Sequence, residues 1–193
     1  MIKGKYTPEY SQPWKTIISK MSVVDFVDLD ALAGEIFTLD SEWDTDVGPN
    51  PSITSVLTPN IIKLRDEIIT PAVLAYVNDI FDFEYDPSNL VVHTKGLTLR
   101  DNDYVGAHFH SAASFTTIFY PANSQAKLML IDPRGNACRG YPRGVRKKHF
   151  DDIIIDPMAG DLYILPSYIA HQVTPVKSEF RTSLINDYFL GVK

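Results

Sequence analysis

Three histidines are the residues of this chain best suited to metal chemistry. His108 and His110 are two positions apart, and His171 follows much later in the chain. Side chains two positions apart on a strand point the same way, so one strand can present two imidazoles to one ion. A third imidazole from a distant strand would complete one face of a metal site and leave the opposite positions open. The pattern predicts a metal centre, and neutral imidazole suits iron, zinc, copper and nickel.

A candidate carboxylate-binding pair follows the last of these histidines. Arg181 comes ten residues after His171, and Ser183 comes two residues after the arginine. A guanidinium binds a carboxylate through two parallel N–H groups. Arg181 and Ser183 alternate on one predicted strand, so both can face one pocket beside the metal. The alternative is an ordinary surface ion pair of Arg181 with Glu179 or Asp187.

Length and composition are those of an ordinary globular protein. The chain has 193 residues, of which 45% are hydrophobic. We expect one domain, with an N-terminal arm and supporting helices in 1–86 and a β-rich core in 87–193. No apolar run approaches the roughly 18 residues of a membrane span, and no signal peptide is recognisable. The single cysteine, Cys138, excludes an intramolecular disulfide. We therefore expect a cytosolic protein with no membrane partner.

Charge is distributed unevenly along the chain. The net charge is −6, yet the stretch from Arg134 to His149 has six basic residues and no acidic one. The remainder then has 12 basic and 24 acidic residues, a balance of −12. This acidic body argues against general nucleic-acid binding. The segment from Ala137 to Phe150 is predicted to be a long loop, either a lid over an acidic substrate or a solvent-exposed hairpin.

The first half of the chain favours helices. Residues 28–37 are predicted to form a short helix, and a second helix is predicted to begin at Thr58 and Pro59. Pro71 is expected to break or kink that second helix. Residues 43–54 are rich in Asp, Gly, Pro and Ser, which predicts a loop.

The second half favours short strands. Its segments are rich in Val, Ile, Thr, Tyr and Phe and are bounded by turn residues. An eight-stranded jelly roll would accommodate them, in a mainly β member of the α+β class. The predicted strands are 90–94, 97–99, 115–120, 127–131, 153–156, 161–165, 171–173 and 181–189.

Several sequence stretches in this half resemble one known family. The most specific block has Gly160, then Pro166, then His171, and then Arg181 in fixed order. The chain resembles the Fe(II)- and 2-oxoglutarate-dependent oxygenases, and more narrowly a small branch of marine bacteria and phages. The stretches that carry this resemblance are 104–110, 115–121, 130–134, 157–173 and 181–183.

The resemblance implies a double-stranded β-helix whose larger sheet is supported by helices. It also implies that His108 is the first iron ligand and His171 the last. In the wider superfamily the middle ligand is Asp or Glu, whereas His110 occupies that position here. Either three imidazoles bind the iron, or His110 does not ligate and the site has two protein ligands.

The implied cofactor is Fe(II), and the implied cosubstrates are 2-oxoglutarate and O2. The implied activity is hydroxylation of an unknown substrate with release of succinate and CO2, in a bacterial cytosol or a phage-infected cell. Arg181 and Ser183 would bind the distal carboxylate of 2-oxoglutarate. Tyr104, Thr116 and Tyr120 are further candidates for the cosubstrate pocket; otherwise Tyr104 is a core residue and the other two belong to the sheet surface.

Two other functions remain compatible with the same residues. One is a cupin-type enzyme with three histidine ligands that does not use 2-oxoglutarate. Against it, the Glu expected shortly after His110 is missing, since residues 111–114 are Ser-Ala-Ala-Ser. The other is a non-catalytic jelly-roll protein with a structural metal. The sequence is also compatible with a homo-oligomer in which the N-terminal arm packs on a neighbouring copy.

Overall fold

The larger of two antiparallel sheets forms the framework of the fold. In this computed structural model the described residues are 16–38, 42–43, 52–54, 57–81, 85–177 and 180–191. The larger sheet has the strand order β1-β9-β6-β11-β4-β3-β2. Its strands are β1 (Ser19–Ser22), β2 (Glu42–Trp43), β3 (Ser52–Thr54), β4 (Leu90–Arg100), β6 (Phe115–Phe119), β9 (Asp161–Pro166) and β11 (Phe180–Leu190).

The smaller sheet completes a jelly roll. Its strand order is β5-β10-β7-β8. Its strands are β5 (Val105–His108), β7 (Leu128–Leu130), β8 (Ile153–Ile155) and β10 (His171–Val173). Strands β4 to β11 divide equally between the two sheets, which is the eight-stranded double-stranded β-helix. The predicted fold class, mainly β with supporting helices, is confirmed.

The helices begin where the sequence predicts. Helix α1 spans Leu29–Thr38, and the Asp28 carboxylate accepts a hydrogen bond from the Ala31 N–H at 3.0 Å. Helix α2 spans Pro59–Leu64, and the Thr58 hydroxyl accepts from the Ile61 N–H at 3.2 Å. Both N-caps satisfy N–H groups that the first helical turn leaves unpaired.

Pro71 does not break the second helix. A π-helical turn, Arg65–Ile69, joins α2 directly to α3 (Thr70–Phe81). The Thr70 N–H donates to the Arg65 carbonyl, one residue further back than in an α-helix. The wider turn accommodates a proline that lacks an N–H and would otherwise crowd the preceding turn. No described helix has the length and apolar character needed to cross a bilayer.

Two segments predicted to be loops contain regular structure, so those predictions were wrong. In the predicted loop 43–54, Trp43 belongs to β2 and Ser52–Thr54 form β3, and these two strands pair with each other. Helix α4, Arg143–His149, lies within the predicted loop 137–150. Two- and three-residue strands carry no readable alternation, and their pairing is decided by tertiary contacts. Glycines and prolines around α4 obscure a helix of only two turns.

Alternation along β11 divides its side chains between two layers. Leu184 and Tyr188 pack against helices α1 to α3 on the outer face of the larger sheet. On the same strand Ile185 packs with Leu97 and Val173 between the two sheets. The helices therefore bury one face of the larger sheet, while the other face and the smaller sheet enclose an interior.

Candidate metal centre and adjoining pocket

His108 and His171 lie opposite each other on neighbouring strands. His108 is the last residue of β5, His171 is the first residue of β10, and the two are paired in the antiparallel register. Their ring centroids are 4.4 Å apart. Directly opposite residues of an antiparallel pair project on the same side of the sheet, so both imidazoles enter the interior together.

His110 reaches the same place from a turn. Strand β5 ends at His108, so the expectation that one strand carries both histidines was wrong. The His110 N–H donates to the Ser167 carbonyl at 3.2 Å, and the His110 carbonyl accepts from the Ala113 N–H at 3.2 Å. The His110 ring centroid lies 5.3 Å from the centroids of both other rings. Main-chain bonds thus hold the third imidazole beside the other two.

The hydrogen bonds of the His108 and His171 rings leave Nε2 available on each. Nδ1 of His108 contacts the Gly106 carbonyl at 2.9 Å, and Nδ1 of His171 contacts the Ile169 carbonyl at 3.0 Å. A carbonyl can only accept, so Nδ1 carries the proton and Nε2 carries the lone pair that binds a metal. The candidate ligand atoms of the three histidines all lie within 4.8 Å of one another.

Burial keeps these imidazoles in the form that binds metals. It lowers the pKa of His171 to about 3, and the neighbouring His108 adds to the effect. Burial also lowers the pKa of His108 below its ordinary value. Both rings are neutral at physiological pH, and neutral imidazole is the ligand form.

The histidines open into a cavity of about 310 Å³ between the two sheets. Its size is at the lower end of the range of small-molecule sites. Apolar walls come from both sheets, and Lys95, Phe109 and Phe189 also line it. Its other polar and charged lining residues include the three histidines, Arg181, Ser183 and Asp187.

Arg181 is a buried cation with unused donors. Its relative exposure is 2%, and its guanidinium lies 4.9 Å from the centroid of the Tyr120 ring. Within the described residues its Nε and Nη1 have no hydrogen-bond partner, and neither does Oγ of Ser183. A buried charge with unpaired donors is costly unless an anion completes it. Arg181 and Ser183 therefore form a cradle suited to a carboxylate.

The alternative role for Arg181, a surface ion pair, does not fit its surroundings. Its side chain is buried, and the Asp187 carboxylate is occupied by other partners. The second proposed partner, Glu179, is outside the described residues.

The three further candidates for the cosubstrate pocket lie in different places. Tyr104 is 42% exposed and does not line the cavity, so the structure does not bring it to the site. Tyr120 is fully buried beside Arg181, its hydroxyl has no partner among the described residues, and burial raises its pKa. The Thr116 hydroxyl donates to Asp187 at 2.8 Å and is not itself a lining residue.

Asp187 is a site residue that the sequence motifs did not indicate. Its Oδ1 lies 2.7 Å from Nδ1 of His110, and its Oδ2 lies 3.6 Å from Nζ of Lys95. Burial by itself raises its pKa, but the hydrogen bond from His110, the charges of His110 and Lys95 and the bond from Thr116 outweigh burial, so the net shift is downward. The available signal was alternation, because residues 181, 183, 185 and 187 share one face of β11.

The basic segment does not line this cavity. None of the lining residues comes from 134–149, and α4 borders a separate surface pocket with Cys138 and Phe150. The structure therefore gives no support to a lid formed by this segment, while α4 itself is solvent-exposed.

The fold and site define a class: a double-stranded β-helix with a three-histidine cluster beside a buried arginine. Residues 96–187 match the profile of a family described as "Putative 2OG-Fe(II) oxygenase". The 2OG-Fe(II) oxygenase family uses Fe(II) and 2-oxoglutarate. The matched residues include all three histidines, Arg181 and Ser183. No curated protein sequence matches the chain.

Solved structures share the fold at low sequence identity. A prolyl-4-hydroxylase from Pseudomonas putida aligns with a TM-score of 0.62 and 13% identity over 90% of this chain and 92% of the other. A viral collagen prolyl hydroxylase from Paramecium bursaria Chlorella virus-1, solved with 2-oxoglutarate, gives 0.60 and 11% over 89% and 94%. HygX from Streptomyces hygroscopicus, solved with nickel and 2-oxoglutarate, gives 0.59 and 16% over 90% and 83%. These likenesses establish the fold.

Proposed function

We propose that this protein is an Fe(II)- and 2-oxoglutarate-dependent dioxygenase that hydroxylates a substrate whose identity is open. One observation carries the proposal: three convergent imidazoles share a cavity with a buried guanidinium that has unpaired donors. A metal site alone would not require such an arginine. A metal next to an anion cradle suits a ligand that has both a chelating end and a distant carboxylate.

Each residue has a proposed role toward the metal or the cosubstrate. His108, His110 and His171 would hold the metal through Nε2, with His110 the ligand that replaces the usual carboxylate. Arg181 and Ser183 would bind the distal carboxylate of 2-oxoglutarate. When bound, the iron supplies the coupling of O2 activation to decarboxylation of 2-oxoglutarate, which yields succinate, CO2 and an oxidised substrate.

The protein's own contribution is position and exclusion of water. Arg181 and Ser183 are at most 2% exposed, so a carboxylate bound between them is removed from solvent. Its attraction to the guanidinium is stronger there than it would be in water. Tyr120 backs the guanidinium and limits its movement. Apolar side chains from both sheets line much of the cavity next to the histidines and limit the access of bulk water.

The finer predictions remain part of this proposal. We infer a bacterial or phage source, a cytosolic location and one domain over 1–193. A homo-oligomer through the N-terminal arm also stays a prediction, since residues 1–15 of that arm are outside the described residues.

The proposal is tested by anaerobic absorption spectroscopy. Protein with Fe(II) and 2-oxoglutarate should develop a metal-to-ligand charge-transfer band. Arg181→Ala should weaken cosubstrate binding at least tenfold, because it removes a charge-assisted anchor worth about 1.5–3 kcal/mol. Arg143→Ala, on exposed α4, is the matched control and should leave the band unchanged.

Two results would overturn the proposal. Iron binding with turnover but no 2-oxoglutarate binding would instead support the cupin-type enzyme. Tightly held zinc at full occupancy, without redox activity, would support the non-catalytic jelly-roll protein.

A further inference from the structure

His110 is the only one of the three imidazoles whose Nδ1 meets a carboxylate. Nδ1 of His108 and of His171 contacts a backbone carbonyl, whereas Nδ1 of His110 lies 2.7 Å from Oδ1 of Asp187. A carboxylate behind a metal-binding histidine fixes the ring and makes it a more basic ligand.

The Asp187 carboxylate is held from both sides of its strand. On β6 the Thr116 hydroxyl, directly opposite in the register, donates to Oδ1 at 2.8 Å. On β4 the Lys95 ammonium lies 3.6 Å from Oδ2. The Asp187 side chain is 13% exposed, so its charge is close to the histidines in a poorly solvated position.

We propose that Asp187 is a positioning residue that replaces, through His110, the carboxylate ligand that this metal centre lacks. The inference rests on the proposed function. A divalent ion bound by two histidines and one carboxylate has a formal charge of +1 with its protein ligands. Three neutral imidazoles leave +2, and the Asp187 carboxylate places a negative charge directly behind the third imidazole. The charge is supplied one imidazole away from the ion.

This arrangement also selects between the two metal-site interpretations that the sequence leaves open. The Asp187 carboxylate accepts the Nδ1 proton of His110, so Nε2 of His110 is the atom left to bind a metal. The carboxylate is itself held in place by Thr116 and Lys95, so the orientation of the His110 ring is set from the strands around it. The third imidazole is therefore assigned as a ligand.

The test uses Co(II), which is stable in air, as the probe for the intact protein. Titration calorimetry gives the affinity, and visible d–d absorption reports the ligand environment. Asp187→Asn keeps the shape and one oxygen acceptor but removes the charge. It should weaken Co(II) binding about 10- to 100-fold and shift the absorption bands.

If Asp187 only ties the His110 turn to the sheet, any substitution that breaks this network should weaken Co(II) binding, whether or not the carboxylate remains. Thr116→Val breaks the same network but keeps the carboxylate, and we expect less than a threefold change in affinity. Asp161→Asn, a buried carboxylate that does not line the cavity, is the matched control and should leave Co(II) affinity unchanged. Should Asp187→Asn fail to fold, Asp187→Ser replaces it in the same comparison.

A double-mutant comparison tests whether Asp187 acts through His110. In a His110→Asp background the ion has a direct carboxylate ligand, so a further Asp187→Asn change should no longer weaken Co(II) binding. An equal loss in both backgrounds, or no loss in the native background, would overturn the inference alone. Absence of histidine-dependent Co(II) binding by the unmodified protein would overturn the proposed function as well.

Discussion

His108 and His171 form a directly opposed pair in the register of β5 and β10, and their ring centroids are 4.4 Å apart. The register of two short strands therefore decides whether the two imidazoles can share an ion. The opposed pair also places the metal centre at one end of the smaller sheet. Arg181 lies across the cavity on the larger sheet, so the candidate site needs both sheets in their native packing.

Replacing Arg181 by methionine should stabilise the ligand-free protein. Methionine fills much of the same space without a buried charge whose Nε and Nη1 lack partners in the described structure. We expect the free energy of unfolding to rise by about 1–3 kcal/mol, as for removal of unpaired buried polar groups. The added stability that 2-oxoglutarate gives the metal-bound native protein should disappear in this variant. Urea unfolding with and without ligand measures both effects, and clear destabilisation of Arg181→Met would contradict this account.

Replacing Ser183 by alanine should weaken 2-oxoglutarate binding without unfolding the protein. The hydroxyl lines the cavity and has no partner among the described residues, so its loss breaks no internal bond. We expect about a three- to tenfold weaker affinity, corresponding to one hydrogen bond of roughly 1 kcal/mol. Thr182→Val is the control, because Thr182 is equally buried but does not line the cavity. Equal effects of the two substitutions in calorimetry would argue against the cradle.

Neutralising helix α4 should not affect the metal or the cosubstrate. A variant with glutamine at 143, 146, 147 and 148 removes four positive charges from a segment that does not line the cavity. We expect Co(II) affinity, 2-oxoglutarate affinity and the rate of uncoupled succinate release to stay within twofold of the native values. A larger fall in any of them would revive the interpretation of this segment as a lid.

Tyr188 should make the protein sensitive to alkaline pH. Burial raises the pKa of its hydroxyl to about 12, and Thr70 lies within hydrogen-bond distance at 3.0 Å. Between pH 10 and pH 12 the unfolded chain loses this proton while the folded chain keeps it, so stability falls as the pH rises. The two-unit difference corresponds to about 2–3 kcal/mol. Tyr188→Phe should make the alkaline part of the curve of unfolding free energy against pH less steep, while Tyr76, whose pKa burial also raises to about 12, keeps its own contribution.

Exposed Tyr141 provides the control for that experiment. Tyr141→Phe should leave the alkaline slope unchanged. If Tyr188→Phe and the native protein lose stability in parallel above pH 10, burial of Tyr188 is not the cause of the slope.

The sequence was sufficient to predict most of the main strands and the helix starts, although 90–94 and 97–99, predicted as two strands, form the single strand β4. Strand segments bounded by turn residues, such as 115–120 and 153–156, fall within one residue of β6 and β8. The cap at Thr58 was predictable because a hydroxyl followed by proline is a local signal. These features depend on neighbours in the chain.

Features that depend on distant contacts were not predictable. Strands β2 and β3 exist because they pair with each other and extend the sheet beyond β4. The position of His110 depends on a bond to Ser167, and the role of Asp187 depends on its register with Thr116. Motif spacing indicates which residues are chemically suited to a site, but only the packed sheets determine which of them meet.

The alternation of β11 couples the site to the stability of the protein. Its odd-numbered residues include Arg181, Ser183 and Asp187, while its even-numbered residues include Leu184, Asn186 and Tyr188 beneath the helices or within the sheet. Inserting or deleting a single residue near the middle of this strand would exchange the two sets beyond that point, placing charges under the helices and leucine in the cavity. Evolution can therefore alter the reaction chemistry of this strand only by substitution, whereas changes of length must be confined to the connections outside it.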